Sequence, residues 1–472
     1  MNQPKKLSPT TAKILKALSI FGGVQVVTIL CSIVRTKLVA IWLGPVGVGL
    51  ISIYNQTIDL FSSTTQLNLR QSAVRDLSES RSAPDRVVGT VRILALLLGI
   101  AGTVLMLLAS SLLGIAAFSD FSHTLPFVIL APVMLLSSVA SGEWAVMQGL
   151  GRLKRLAKST LYAALTATVI AVPLFYFFRL NGILPVLITF AVCNCAYALA
   201  FNRPYRTYAL TLRQALSAGK PMLSLGAYMT VSSIVTTLAS YIFIAWLNRS
   251  YSTGTVGLYQ AGYTLINSYT GLIFTSIAME YYPRLSASVR SRMRTEILVA
   301  HEISVALWVL LPIVIAFICC RSMIVDILYS SRFEAILPYL AIGIIGIFFR
   351  ALSWCMAFVI IARGDGRAYI LTELSSAAIY LALSIPAYRY GGFAALGAAY
   401  VLWYGAYCAI TCAVCRRRYG MRLRGSSLRL LLATVGVAIA CLLLCELIGN
   451  WLTLAITLPP SAWLAYKNIL RR

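Results

Sequence analysis

The chain has 472 residues, 59% of them hydrophobic and only 11% charged, with a mean hydropathy of +0.83 and a formal net charge of +26. That leaves too few polar residues to cover a soluble globule, so the composition predicts an all-α polytopic membrane protein. A charge of this size would elsewhere suggest nucleic acid, but no basic region outside the apolar runs is large enough to hold a duplex.

Crossing the hydrocarbon core takes about 20 apolar residues. The chain opens MNQPKKLSPTTAK, with no small-residue cleavage site, so residues 1–14 are expected to stay as a cytoplasmic tail rather than be removed as a signal peptide. Six spans follow near 15–42, 47–70, 88–115, 124–148, 157–178 and 182–202, forming an N-lobe. A cytoplasmic linker over 203–221 leads to a C-lobe of six more, near 222–247, 256–280, 298–319, 336–362, 368–388 and 392–415. From 416 a basic segment precedes two further apolar runs, near 427–447 and 449–466, the second interrupted by Pro459-Pro460. These form a C-terminal hairpin, spanning or re-entrant.

Basic residues collect on alternate loops. They run from Lys5, Lys6 and Lys13 through Arg152, Lys154, Arg155 and Lys158 to Arg416, Arg417 and Arg418, while the loops between hold few. This pattern predicts that both termini are cytoplasmic, and it accounts for most of the net charge without any nucleic-acid partner. No segment between spans exceeds about twenty residues, so an extramembrane catalytic or nucleotide-binding domain has no room. No G-x-x-x-x-G-K-[ST] loop is present, which argues against ATP hydrolysis by the common route.

The two halves repeat. Val48-Gly49-Leu50 and Leu77-Ser78 return as Val256-Gly257-Leu258 and Leu285-Ser286 at a constant offset of 208 residues. Gly182 and Ala196-Tyr197 lie 210 residues before Gly392 and Ala406-Tyr407. Several landmarks in order at nearly one offset indicate two related lobes, as in many transporters.

A charge inside the bilayer costs at least about 2.5 kcal/mol, so each deep polar group calls for a reason. Gln56, Asp59, Ser63, Gln66 and Arg70 recur at spacings of three and four, one stripe of a second helix that must line water or other polar groups. On the first helix Gln25, Thr28, Ser32 and Arg35 share a face, and Lys37 lies about 200° around from Arg35. The eighth helix carries Gln260, Tyr263, Thr264 and Asn267, and Arg350 stands mid-run in IIGIFFRALSW. The expected cavity is cationic (Arg35, Lys37, Arg70, Arg350), lined by Gln25, Gln56, Gln66, Gln260 and Asn267, with a sign that suits an anion. Asp59 and Glu373 are candidates for ion or proton coupling. The structural alternatives are that Arg70 and Lys37 snorkel to an interface and that Asp59 pairs with a neighbouring arginine. Glu143 and Glu280 lie near cytoplasmic helix ends, and the Tyr and Trp excess, including Trp42, Trp246, Tyr281 and Tyr282, reads mostly as an interfacial belt.

The eleven cysteines lie mainly inside apolar runs and read as small hydrophobes. Cys412-Ala413-Val414-Cys415 has the C-x-x-C spacing but no second pair, so neither a metal nor a cofactor is expected.

Three stretches carry a family resemblance: KLVAIWLGPVGVGL at Lys37–Leu50, VGLYQAGYTLINSY at Val256–Tyr269, and SSRFEAILPYLAIGIIGIFFRALSWCMAFVIIARGDGRAYILTELSS at Ser330–Ser376. Over roughly 12–418 the chain resembles the O-antigen translocases, the Wzx-type lipid-linked oligosaccharide flippases of the multidrug/oligosaccharidyl-lipid/polysaccharide (MOP) exporter superfamily. The resemblance implies two six-helix lobes in a MATE-like V-shaped bundle, to which this chain adds its hairpin. It implies a monomeric, non-enzymatic transporter of the bacterial inner membrane, acting on undecaprenyl-diphosphate that carries an O-antigen or related repeat unit. A polysaccharide polymerase and a chain-length regulator are the protein partners that go with such a role. Lys37 and Arg350 match basic positions of the family pattern and Glu373 its acidic one, so Lys37 and Arg35 both stay candidates.

Two other classes were weighed against this expectation. A multidrug or cation antiporter of the same superfamily would want deep carboxylates, and the deep charges here have the wrong sign. A membrane-embedded glycosyl transferase, ligase or polymerase would need a sizeable external loop.

Overall fold

A bilayer offers the backbone no hydrogen-bond partners, so long apolar runs satisfy their N–H and C=O groups internally as helices. The computed structural model describes residues 9–79, 84–118, 124–202 and 210–470, and every regular element among them is helical. In chain order these are α1 (Pro9–Trp42), α2 (Gly44–Thr65), α3 (Leu69–Glu79), α4 (Pro84–Phe118), α5 (Thr124–Gly149), α6 (Leu153–Phe178) and α7 (Ile183–Asn202). Then come α8 (Leu212–Ser250), α9 (Thr253–Ser288), α10 (Arg292–Leu328), α11 (Leu337–Gly343), α12 (Gly346–Ala362), α13 (Gly366–Tyr419), α14 (Gly425–Ile448) and α15 (Asn450–Leu470). Most of the predicted tail and part of the 203–221 linker lie outside the described residues.

Among the described residues seven helical stretches are long and apolar enough to cross a membrane, or eight if the bent pair Ser331–Gly343 and Gly346–Ala362, meeting at 55°, is one span. Two of the seven, Leu153–Asn202 and Gly366–Tyr419, run 50 and 54 residues. At 1.5 Å per residue each is far longer than one crossing, and each is two predicted spans joined end to end. The first predicted run of the C-terminal hairpin is α14, which meets the spanning test; the second is α15, continuous through Pro459 and Pro460.

The joints of the two double spans are alike. Between α6 and α7 the chain turns through the 3₁₀ segment Arg179–Gly182, where Arg179 takes φ 52° and ψ −128°. Inside α13 the same conformation falls on Gly392, with φ 58° and ψ −144°. That region is open to glycine and costs other residues about 1–3 kcal/mol. A Cβ added at Gly392 would meet nothing within 4 Å, so the penalty there is purely conformational. Gly392→Ala is therefore expected to destabilise the protein by about 1–3 kcal/mol, and Arg179→Gly to relieve a similar strain less the bond from Arg179 Nη1 to the Trp42 carbonyl (3.3 Å). Thermal unfolding in detergent checks both.

The second predicted span ends sooner than its polar stripe suggested. Leu67 and Asn68 adopt φ 47° and 46°, which stops α2 at Thr65 and starts α3 at Leu69. Gln56, Asp59 and Ser63 share α2, whereas Gln66 caps it and Arg70 belongs to α3. Two consecutive left-handed residues without glycine leave no signal in hydrophobic periodicity, and this is why 47–70 reads as one helix.

The chain divides into two compact units, 1–237 with 244–253, and 238–243 with 254–472. In the first, α4 and α5 pack at close range: a Cβ on Gly142 would lie 2.8 Å from that of Ala95, and Ser138 Oγ donates to the Ala95 carbonyl at 2.7 Å. Small residues that let backbones approach are the usual device for joining helices in lipid. In the second, α12 packs along α13, and α14 and α15 both lie on α10.

Asp365 ties the two ends of α13. Its carboxylate caps the helix by accepting from Ala368 N (3.0 Å), and also accepts from Arg418 Nη1 (2.7 Å) and Tyr419 OH (3.0 Å). The Ala368 amide first, then the Arg418 guanidinium, hold this carboxyl below the usual carboxylate range. A depressed folded value means that the stabilisation is complete above the unfolded value, about 3.9, and is lost as pH falls through the folded one. Thermal midpoints measured from pH 6 to pH 3 are expected to drop less below about pH 4 in Asp365→Asn than in wild type.

Candidate functional site: two arginines without carboxylate partners among the described residues

The second unit places Arg350 in the second turn of α12, just beyond the bend that separates α11 from α12. The bend is bridged by backbone bonds, Ile345 N to the Ile342 carbonyl and Ile347 N to that of Ile344, both at 3.1 Å. Broken helices of this kind put side chains at mid-membrane depth and are common at transporter sites.

Arg350 is held by neutral groups. Its Nη1 donates to Asn267 Oδ1 at 2.6 Å, the same oxygen accepts from Tyr400 OH at 2.9 Å, and Asn267 Nδ2 donates to the Tyr263 carbonyl at 3.0 Å. The guanidinium carbon lies 5.2 Å from the centre of Phe274 and 5.7 Å from that of Tyr404, within cation–π range. None of the ion pairs among the described residues includes Arg350. The site thus keeps a full positive charge, oriented by an amide and flanked by aromatic faces.

Predicted partners fall around it unevenly. Asn267 is in direct contact, while Gln260, on the same helix α9, donates to Thr264 Oγ1 at 3.4 Å. Glu373 accepts from Tyr407 OH at 2.5 Å, a bond that joins the two arms of α13. The tyrosines are what sequence reading missed. Tyr400, Tyr404 and Tyr407 recur at helical spacing, yet they pack inside the unit with Trp403, and Tyr281 is fully buried with its hydroxyl on the Cys355 carbonyl (2.9 Å). Only Tyr282 of that pair is exposed, so an interfacial belt does not account for them.

In the first unit Arg35 faces a cavity of about 290 Å³ between α1, α2, α5, α6 and α7, with Asn55, Ser137 and Asn194 among its walls. The guanidinium carbon stands 4.4 Å from the centre of the Phe190 ring and has no hydrogen-bond acceptor among the described residues. Lys37 is half-buried on the same helix, and the side chain of Gln25 lies outside the described residues. Among the described residues Gln56 Oε1 is buried with no partner and Asp59, which is exposed, joins no ion pair, while Gln66 is half-buried at the end of α2. Arg70 is also exposed; it donates to Gln148 Oε1 at 3.3 Å and lies 5.8 Å from the Trp144 ring. The bond ties α3 to the end of α5.

The unit also holds a network that sequence reading did not find. Glu143, 2% exposed, accepts from Arg92 Nε at 2.6 Å and Nη2 at 3.0 Å, and from the amide of Asn202. Arg92 lies fifty-one residues away from Glu143, and no local spacing signals such a pair.

Long apolar helices in two units, each holding an arginine that pairs with no carboxylate among the described residues, define a polytopic helical membrane protein. The chain belongs to the polysaccharide biosynthesis protein family, whose model matches residues 38–338. It is 23% identical over 406 residues to the Lipid III flippase of Escherichia coli (strain K12), an alignment that spans 80% of this chain and 92% of that protein. Its fold is similar to that of the lipid II flippase MurJ in an inward closed conformation, with a TM-score of 0.68 at 13% identity over 95% of this chain and 99% of the other. An inward-facing multidrug resistance MATE family transporter of the MOP superfamily superposes with a TM-score of 0.67 at 13% identity, over 83% and 94% of the two chains.

Proposed function

We propose that this protein flips undecaprenyl-diphosphate-linked oligosaccharide, an O-antigen or related repeat unit, from the cytoplasmic to the outer leaflet of a bacterial inner membrane. The observation that carries the reading is Arg350, a half-buried cation held by the neutral amide of Asn267 and paired with no carboxylate among the described residues. Leaving a charge uncompensated in a membrane protein is costly and is reserved for function. A guanidinium has donors left over for a diphosphate, which it can grip through two parallel bonds.

Arg35, facing its own cavity, offers a second cation, and the unpartnered oxygen of Gln56 and the amide of Gln260 suit sugar hydroxyls. Alternating exposure of these groups to the two sides carries the head group across, with the polyprenyl tail kept in lipid. Both termini are cytoplasmic in this reading, and a polymerase with its chain-length regulator consumes the flipped product, which draws flux outward. A cation antiporter would present deep unengaged carboxylates, whereas Glu373 is taken by Tyr407.

The test is reconstitution in liposomes with a fluorescent undecaprenyl-diphosphate oligosaccharide, head-group exposure being followed by a membrane-impermeant quencher. Translocation well above protein-free vesicles is expected. No translocation of any diphosphate lipid, with or without an ion gradient, together with uptake of a cationic dye, would replace this reading with the antiporter.

A further inference from the structure

We propose that Cys319, Cys441 and Cys445 form a binding site for one thiophilic monovalent metal ion of the Cu(I) class, clamping the C-terminal hairpin to α10. Cys441 and Cys445 are one turn apart on α14, so both thiols project from the same face. That face meets Cys319 of α10: its Sγ is 3.7 Å from that of Cys441 and 3.6 Å from that of Cys445. All three sulfurs lie within 4.8 Å of one another, the one such convergence of ligand-forming side chains among the described residues. The three thiols are unoxidised and buried, at 5%, 1% and 6% exposure.

The spacing fits an ion. Metal–sulfur bonds of about 2.3 Å place three sulfurs about 4.0 Å apart around a trigonal centre, within a few tenths of an ångström of both contacts that Cys319 makes. A disulfide, by contrast, would need them to close to about 2.05 Å. The donor set names the class: sulfur alone, with no carboxylate or imidazole in the cluster and Thr457 Oγ1 4.0 Å from the Cys441 sulfur. Oxygen-seeking Mg²⁺ and Ca²⁺ find nothing here, and soft thiolates select Cu(I). Three ligands without a fourth favour it over Zn²⁺, which is almost always four-coordinate in structural sites. A single positive charge also suits an apolar surround, since one thiolate neutralises it. Each thiol that ligates as thiolate releases its proton, and no electron is transferred when the ion arrives as Cu(I). Cys445 lies three residues from the end of α14 at Ile448, which gives the ion a short way in from the membrane surface.

Sequence reading set metal binding aside because Cys412 and Cys415 lack a second pair; the cluster forms instead from cysteines 122 and 126 residues apart. The proposal is independent of the transport reading. The test uses the full-length protein, purified anaerobically with reductant and titrated with Cu(I) held by a competing chelator. One ion per chain is expected, with an X-ray absorption spectrum fitted by sulfur ligands alone and a raised unfolding temperature. Cys319→Ser and Cys445→Ala should each weaken binding more than about tenfold, the loss typical of even a supporting residue. Cys193→Ser, in the other unit, should not. Equal copper retention by wild type and both cluster variants, or no retention by any, would overturn the site.

Discussion

Arg350→Met is expected to reduce head-group translocation by at least about tenfold, and to leave the protein as stable as wild type or slightly more so. Hydrogen bonds to a charged group contribute about 1.5–3 kcal/mol, and a diphosphate that loses one or two of them loses about tenfold to more than a hundredfold in binding. The stability half of the prediction follows from what surrounds the residue. Arg350 neutralises no carboxylate among the described residues, so its removal strands no opposite charge there, and Asn267 Oδ1 still accepts from Tyr400. Methionine keeps most of the apolar stem between Phe274 and Tyr404. Arg350→Lys retains the charge and loses the fork, and is expected to fall between the two. Asn267→Leu removes the acceptor from two donors at once, costing about 1–3 kcal/mol of stability. Liposome flipping beside thermal scans on the same preparations separates the cases. A stable Arg350→Met that flips at the wild-type rate would remove Arg350 from the site.

What sequence could and could not show follows the same physical divide. Element identity rests on apolar run length, a local property, and the fourteen apolar runs fall largely in helix, with breaks at 66–68 inside 47–70 and at 344–345 inside 336–362. Arg350 was legible for the same reason: a cation mid-run needs no partner to be noticed. Its orientation by Asn267 was not, because eighty-three residues separate the two. Arg70 falls on α3 rather than on α2 because of a backbone event, the left-handed pair Leu67-Asn68, which periodicity cannot register. The tyrosines around Arg350 were ascribed to an interface because hydropathy treats a buried and an interfacial phenol alike. Tyr400, Tyr404 and Tyr407 on one stripe of α13 could have signalled otherwise.

The buried triad of Arg92, Glu143 and Asn202 sets up the largest expected change in stability, and the change is asymmetric. Glu143 is the more enclosed partner, its side chain 3% exposed against 23% for Arg92. Removing one member of a buried pair typically costs about 3–5 kcal/mol, because the other charge stays behind without compensation. Arg92→Ala strands a carboxylate that cannot reach water and is expected at the upper end of that range. Glu143→Ala strands a guanidinium on a long stem that can swing toward solvent, and is expected at the lower end. Asn202→Ala removes a single interhelical amide bond, worth about 0.6 kcal/mol on average in a membrane protein, and should be small beside either. The double variant Arg92→Met with Glu143→Leu strands no charge and should recover most of the loss, since apolar replacement of a buried pair is often neutral or better. Unfolding midpoints of the four variants in one detergent decide it. If the double variant is as unstable as Arg92→Ala alone, the triad matters through the shape of the α4–α5–α7 junction rather than through its charges.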